Sequence, residues 1–237
     1  MLKSFLITLL LPLTLLSQTY GDHVKNLYNK CELEGKLSYK VFSVALTGYY
    51  NLKYNKKISG DKLVIVDFRQ SSSEERFYVI DLDTKELLYK TLVAHGKNSG
   101  GNYAFQFSNK KGSYKSSLGF YITTKTYEGC NGLSLYLNGI DKGYNTNAKE
   151  RLIVVHGADY ITKKEMGHSK GCLALSMRDA THIIPIIKNG NCIFGYATSY
   201  HSNLINPESA IHYYEQIQIG ELLEELLKSN HQGNTNP

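Results

Sequence analysis

Two side chains suited to covalent chemistry, His156 and Cys172, stand sixteen positions apart in the chain. His156 ends the hydrophobic run Leu152–Val155 and is followed by Gly157, Asp159 and Tyr160. Cys172 closes the stretch Gly167-His168-Ser169-Lys170-Gly171-Cys172. A histidine delivered by a strand end and a cysteine after glycine suit thiol acyl transfer. The thiolate is the nucleophile, and a thiol of pKa about 8.5 needs an imidazole within reach to generate it. Gly171 allows a tight turn, so that the Gly171 and Cys172 amides can converge on an oxyanion, and Lys170 adds positive charge that favours thiolate. Taken singly, each residue has a plainer reading, because most lone cysteines pack a core and most strand-end histidines are surface groups. His156, Asp159, His168 and Cys172 could also supply four metal ligands, a set uncommon for zinc.

The elements needed to position such a site can be read around it. Leu63–Phe68 is a continuous β-branched run, the pattern of a buried strand. Arg76–Leu82 and Glu86–Ala94 flank Asp83-Thr84-Lys85 as a hairpin. Gly96–Gly119, rich in Gly, Ser, Asn and Lys, reads as a long surface loop. Phe120–Lys125, Leu133–Leu137, Leu152–His156 and Cys192–Ala197 are further strands. Two helices precede them, one with Val24, Leu27, Tyr28 and Cys31 on one face, the next capped by Ser38 with Val41, Phe42, Ala45 and Tyr49 inward. Ser176 and Asp179 form a capping box for a helix to Ile187, kinked or begun afresh near Pro185. Asn206-Pro207 opens a last helix, in which Glu221, Glu224 and Glu225 oppose the leucines of Leu222–Leu227; from Ser229 on the composition reads as disordered. Strands without regular β-α alternation predict a mostly β, α+β domain with a sandwich or barrel-like sheet.

Composition bounds the rest. The chain has 237 residues, 42% hydrophobic and 20% charged, which suits one globular domain and excludes a coiled coil, collagen or a polytopic membrane protein. The net charge of +6 comes from spread lysines, since only four of the 27 basic residues are arginine. That favours an anionic partner such as wall polymer or lipid headgroups and makes no nucleic-acid stripe. Lys3, the apolar run Phe5–Leu16 and the small polar stretch Ser17–Gly21 read as a signal peptide, with an uncleaved anchor as the alternative. A run that short, interrupted by Pro12, does not span a bilayer. The mature protein is therefore expected outside the cytoplasm, with no membrane contact after signal removal. Cys31, Cys130, Cys172 and Cys192 fit no zinc or redox spacing; Cys192 reads as a core thiol, and Cys31 and Cys130 are free to pair without a local argument for it.

From about Val64 to Ala197 the sequence resembles the L,D-transpeptidase catalytic domain, in particular the larger murein subgroup. The resemblance rests on His156-Gly157, on Ser169-Lys170-Gly171-Cys172, and upstream on Arg76–Leu82, Leu92–Gly100 and Ser116–Ile122 in the same order. Two positions depart from the family pattern. The arginine that many relatives carry before Ser-x-Gly-Cys is replaced by Gly167-His168, and the usual His or Trp between Ser and Gly is Lys170.

The resemblance implies an L,D-transpeptidase-like mixed β-sandwich core with added N- and C-terminal helices. It divides the chain into a signal peptide (1–21), a helical segment (22–60), a catalytic domain (61–200) and a C-terminal helix with tail (201–237). It implies that Cys172 attacks a peptidoglycan tetrapeptide stem, releases D-Ala and passes the acyl group to an amine. His156 would act as the base, oriented by the carbonyl of Gly157, with the amides of Lys170, Gly171 and Cys172 as oxyanion donors. Ser169, His168, Tyr160 and Asp159 are the supporting positions, and neither metal nor organic cofactor is required. An L,D-carboxypeptidase or endopeptidase hydrolysing the same thioester, and a wall-binding module without catalysis, are the alternatives.

Overall fold

The computed structural model describes residues 19–161 and 168–233, and side chains through residue 228. The apolar run of the expected signal peptide lies outside the described residues. Thr19 begins the described chain as the cap of α1 (Tyr20–Lys30), in a reciprocal capping box with Asp22. α1 buries Val24, Leu27 and Tyr28, the expected stripe.

α2 (Tyr39–Tyr54) goes further than its sequence pattern suggests. It is buried on the expected face by Val41, Phe42, Ala45 and Tyr49, and also at Leu46, Thr47, Gly48, Tyr50, Asn51 and Leu52. The cause is enclosure: α1 and a long C-terminal helix, α4 (Pro207–Gly233), pack against α2, while its inner face meets the sheet. Gly48 is where helix and sheet come closest; a Cβ there would stand 1.9 Å from the Phe120 ring.

Eight strands form one sheet: β1 (Lys62–Asp67), β2 (Phe77–Asp81), β3 (Glu86–Thr91), β4 (Gly119–Gly129), β5 (Gly132–Gly139), β6 (Val154–Ala158), β7 (Leu173–Ser176) and β8 (Cys192–Tyr196). Their order is β3-β2-β1-β8-β4-β5-β6-β7, with β1/β8 and β6/β7 parallel and the other neighbours antiparallel. The two ends of this order meet. Just past β3, the Ala94 amide donates to the Ala174 carbonyl of β7 at 2.9 Å, so the sheet curls back on itself. The fold is thus α+β with a large curled sheet. Its middle strands β1, β2 and β8 are buried along nearly their whole length, and Phe120 stacks on Phe194 at 4.2 Å within the core.

Several boundaries differ from the sequence reading. β4 runs on to Gly129 and β5 starts at Gly132, so one tight turn at Cys130-Asn131 joins two long strands. β6 starts at Val154 rather than Leu152, because Leu152 is held at φ +56°. β7 is an added strand. α3 (Met177–Ile187) passes through Pro185 unbroken, and its capping box is half made. Ser176 Oγ caps the Asp179 amide at 3.0 Å, but the Asp179 carboxylate accepts from Thr91 Oγ1 at 2.6 Å instead. α4 continues to Gly233, beyond the Ser229 at which the composition suggests order ends. No described helix is long and apolar enough to cross a membrane.

Candidate active site

His156 lies in the middle of β6, 7% exposed, with its ring turned to its own strand end. Nδ1 sits 2.7 Å from the Gly157 carbonyl oxygen. A carbonyl only accepts, so Nδ1 carries the proton and Nε2 of the neutral ring carries the lone pair. That is the tautomer a general base requires. Gly157 serves packing as well: a Cβ there would meet Met177 Sδ at 2.6 Å and crowd Met177 Cα at 3.2 Å, so glycine lets the start of α3 lie close over the strand.

Parallel pairing of β6 with β7 brings the nucleophile candidate to the same place. Val155 pairs with Leu173 and His156 with Ala174. Cys172, one residue before β7, therefore shares the sheet face of His156, one strand over. Ser169 shapes the turn that presents it. Its buried hydroxyl accepts from the Gly171 amide at 3.0 Å and donates to the Cys172 carbonyl at 2.8 Å. Gly171 adopts φ +119° with the Lys115 carbonyl only 2.8 Å from where a Cβ would stand, so no other residue fits. Because the Gly171 amide is held by Ser169, the Lys170 and Cys172 amides are the remaining oxyanion candidates of the three.

A second brace comes from the long loop after β3. The His95 carbonyl accepts from the Ser169 amide at 3.0 Å, and the Lys97 amide donates to the Ser169 carbonyl at 2.8 Å. His95 is itself fixed from behind. The buried Arg76 guanidinium donates to His95 Nδ1 at 2.8 Å and to the carbonyls of Val93 at 3.0 Å and Gln70 at 2.9 Å. Burial, reinforced by Arg76, pulls the His95 pKa down to about 4. His95 is therefore neutral at pH 7.

The thiol of Cys172 donates to the Leu152 carbonyl at 3.4 Å. Burial pushes its pKa up, opposed by a backbone hydrogen bond from Val154 and by the Arg151 charge. Lys170, the cation expected from the sequence, is exposed and has no hydrogen bond or ion pair among the described residues; the charge that favours the thiolate here is that of Arg151. Arg151 is half-buried and binds the Ser108 carbonyl at 2.6 Å, the Lys115 carbonyl at 2.5 Å and the Ser117 hydroxyl. It thereby pins the long loop beneath the Cys172 turn. Sequence reasoning missed it because its partners lie more than thirty residues upstream; the one available signal was its place directly before the strand that carries His156.

The supporting positions separate. Tyr160 is near the site, its pKa raised by burial and then by the neighbouring Cys172. His168 is exposed, lies 3.2 Å by Nε2 from the Gly101 carbonyl and edges onto the His95 ring with centroids 5.1 Å apart. Asp159 is exposed in the turn after β6 and has no partner among the described residues. No group of three or more His, Cys, Asp or Glu converges to hold a metal among the described residues, and His156, Asp159, His168 and Cys172 do not form one. All four cysteines are free thiols, Cys31 and Cys192 buried and Cys130 exposed.

Comparison with solved structures returns an L,D-transpeptidase from Mycobacterium smegmatis, 15% identical over 59% of this chain and 60% of that one, with a TM-score of 0.38. It also returns the helical cell shape determining protein Pgp2 from Campylobacter jejuni, 11% identical over 69% of this chain and 59% of that one, with a TM-score of 0.42. Bd1075 from Bdellovibrio bacteriovorus is 14% identical over 69% and 57%, with a TM-score of 0.41. The chain thus spans about three-fifths of the length of the solved structures it matches. Among curated proteins no match is found. The family model of the L,D-transpeptidase catalytic domain, however, matches residues 33–196, most of the chain and the whole of the His156–Cys172 region, and the chain belongs to that family.

Proposed function

We propose that the protein is an exported, cysteine-dependent L,D-transpeptidase acting on peptidoglycan stem peptides at the cell envelope. The observation that carries this reading is the His156 tautomer. The Nδ1–Gly157 bond leaves a lone pair on Nε2, on the sheet face that also presents Cys172. The resting thiol is protonated, because burial raises its pKa. Its proton must therefore move to His156 Nε2 as the sulphur engages substrate.

The thiolate adds to the carbonyl of the third stem residue, forming a C–S bond and an oxyanion that faces the Lys170 and Cys172 amides. Collapse breaks the C–N bond to the terminal D-Ala, whose amine leaves with the proton held by His156. The resulting thioester is attacked by an amine of a second stem. Its proton passes to His156, the new amide forms and the thiol is regenerated. Every step uses groups of this chain and two substrates. Lys3 and the apolar run Phe5–Leu16 support export, and membership of the family supports the substrate.

Incubation of the mature protein with a disaccharide tetrapeptide, followed by mass spectrometry, tests the reading. A cross-linked dimer with released D-Ala is expected. Tripeptide alone would reassign the second step to water, and no product from wild type together with no acylated Cys172 would overturn the reading.

A further inference from the structure

A groove of about 670 Å³ opens beside the nucleophile and is not used by any step above. Tyr136, Ile153 and Leu152 form its apolar wall, Asn138 lies along it, and Lys125 and Lys149 stand at it. It is linked to the reacting sulphur through Leu152. The residue whose side chain lines the groove, Leu152, is the one whose carbonyl accepts the Cys172 thiol at 3.4 Å. No acidic side chain is among its described lining, and neither lysine has an ion pair or hydrogen bond among the described residues.

Two local irregularities build this groove. Between Thr123↔Leu137 and Thr126↔Leu135 the pairing of β4 with β5 shifts, so that Thr124 and Lys125 together oppose Tyr136. A bulge of this kind re-aims a side chain, and bulges gather beside active sites. The second irregularity is at Leu152. The turns of residues 147–152 end with Leu152 N–H on the Lys149 carbonyl at 3.1 Å and Ile153 N–H on the Ala148 carbonyl at 2.9 Å. That is a helix-end cap whose left-handed position is normally glycine. Here it is a leucine at φ +56° with 70% of its surface exposed. A strained, solvent-facing leucine contributes nothing to the core; what it supplies is apolar wall to the groove.

We infer that this groove is the binding subsite for a carboxylate-bearing segment of the stem peptide. Lys125 and Lys149 pair with a free carboxylate close to the acylated position, and Leu152 and Tyr136 cover the adjacent aliphatic chain. The groove thereby makes the enzyme prefer stems whose side carboxylate is free over stems in which it is amidated. The inference rests on the transpeptidase reading for the identity of the ligand, and on charge complementarity and contiguity with Cys172 for its placement.

Calorimetry on the Cys172→Ala protein, which cannot react, tests it with two synthetic disaccharide tetrapeptides differing only in a free or amidated side carboxylate. The free form is expected to bind about tenfold tighter at low salt, from two partly exposed ion pairs. Lys125→Gln with Lys149→Gln should erase that preference without changing affinity for the amidated form. Leu152→Gly should weaken both ligands while leaving the thermal midpoint equal or higher, which loss of a merely structural residue would not do. Equal affinity for the two stems, or a preference that survives the double variant, overturns the inference. Turnover by wild type without any carboxylate preference sinks the groove alone. A carboxylate preference without turnover sinks the transpeptidase reaction and leaves the groove standing.

Discussion

Two regions of the molecule, a helical end around α2 and a site end around the Cys172 turn, are held together by different physics. At the helical end, α2 is wedged between α1, α4 and the sheet mainly by side-chain burial: Phe42, Leu46, Leu52 and the ring of Phe120 fill the space, with Asn51 adding hydrogen bonds to the carbonyls of Leu204 and Asn206. At the site end, hydrogen bonds to backbone dominate. Arg151, Ser169, Arg76 and His95 each tie one segment to another through backbone atoms, beside a small apolar cluster of Leu92, Ala94, Ala158, Ile161 and Ala174. Area burial is nondirectional and tolerates small displacements, whereas a hydrogen bond loses its value within a few tenths of an ångström. The end that must hold a sulphur, an imidazole and an oxyanion in register is the end built from directional bonds.

The largest expected effects separate chemistry from folding. Cys172→Ala should abolish acyl-enzyme formation, and His156→Ala should slow single-turnover acylation by about 10²–10⁴-fold, the usual worth of a general base. Intact-protein mass spectrometry reads both, and thermal midpoints near wild type are expected alongside. His168→Ala should be milder than His156→Ala, since its ring rests on His95 and the Gly101 carbonyl. A reversed order would reassign the base.

The opposite pattern belongs to the helical end. At Gly48 a Cβ would lie 1.9 Å from Phe120 Cζ. Gly48→Val should therefore cost stability by about 3 kcal/mol or more through overpacking. Urea titration measures that loss, and acylation per folded molecule should stay unchanged. If acylation fell in proportion, the two ends would be coupled more tightly than their bonding suggests.

These contrasts also explain what the sequence disclosed. The buried run Leu63–Phe68, the stripe of α1 and the Asn206-Pro207 helix start are all local patterns of apolar spacing or capping, and they were legible as such. His156 and Cys172 were legible because their residue types carry chemistry. β7 was not, since four residues give too short a pattern to distinguish a strand from a loop. The start of β6 was misplaced by two residues because nothing local signals a left-handed leucine at 152. Arg151 and the pairing of His95 with Ser169 were invisible for a further reason. Their partners are backbone atoms of distant loops, and backbone atoms leave no residue-type signature.

Arg151 offers an intermediate effect. Its charge is among the features that favour the Cys172 thiolate, and its hydrogen bonds hold the loop under Gly171. Arg151→Gln should slow alkylation of Cys172 at pH 7, because less of the thiol is ionised. A pH profile of the rate should move to higher pH in the variant. An unchanged profile with slower acylation would show that the guanidinium acts only through loop placement.

The smallest expected effect compares one histidine from each end, His23 half-buried and His95 buried. His23, at the helical end, faces Tyr50 and Tyr214, and its Nε2 lies 2.7 Å from the Tyr50 hydroxyl. Burial, then the charges of Lys85 and Lys30, lowers its pKa to about 4. His95, at the site end, faces Arg76 and His168 and is likewise lowered to about 4. A base with a depressed folded pKa binds fewer protons folded than unfolded between that value and the ordinary histidine value of about 6.5, so stability rises with pH across this window and is lost as pH falls through it. Thermal midpoints from pH 7 down to pH 4 should therefore fall less steeply in His23→Gln and in His95→Gln than in wild type. Acylation at pH 7 should then distinguish them. His95→Gln should slow it, because the Ser169 amide hangs on that segment, while His23→Gln should not. If both variants keep the wild-type pH slope, the two rings are not held neutral by the fold. If both slow acylation alike, the division between a packed end and a hydrogen-bonded end fails.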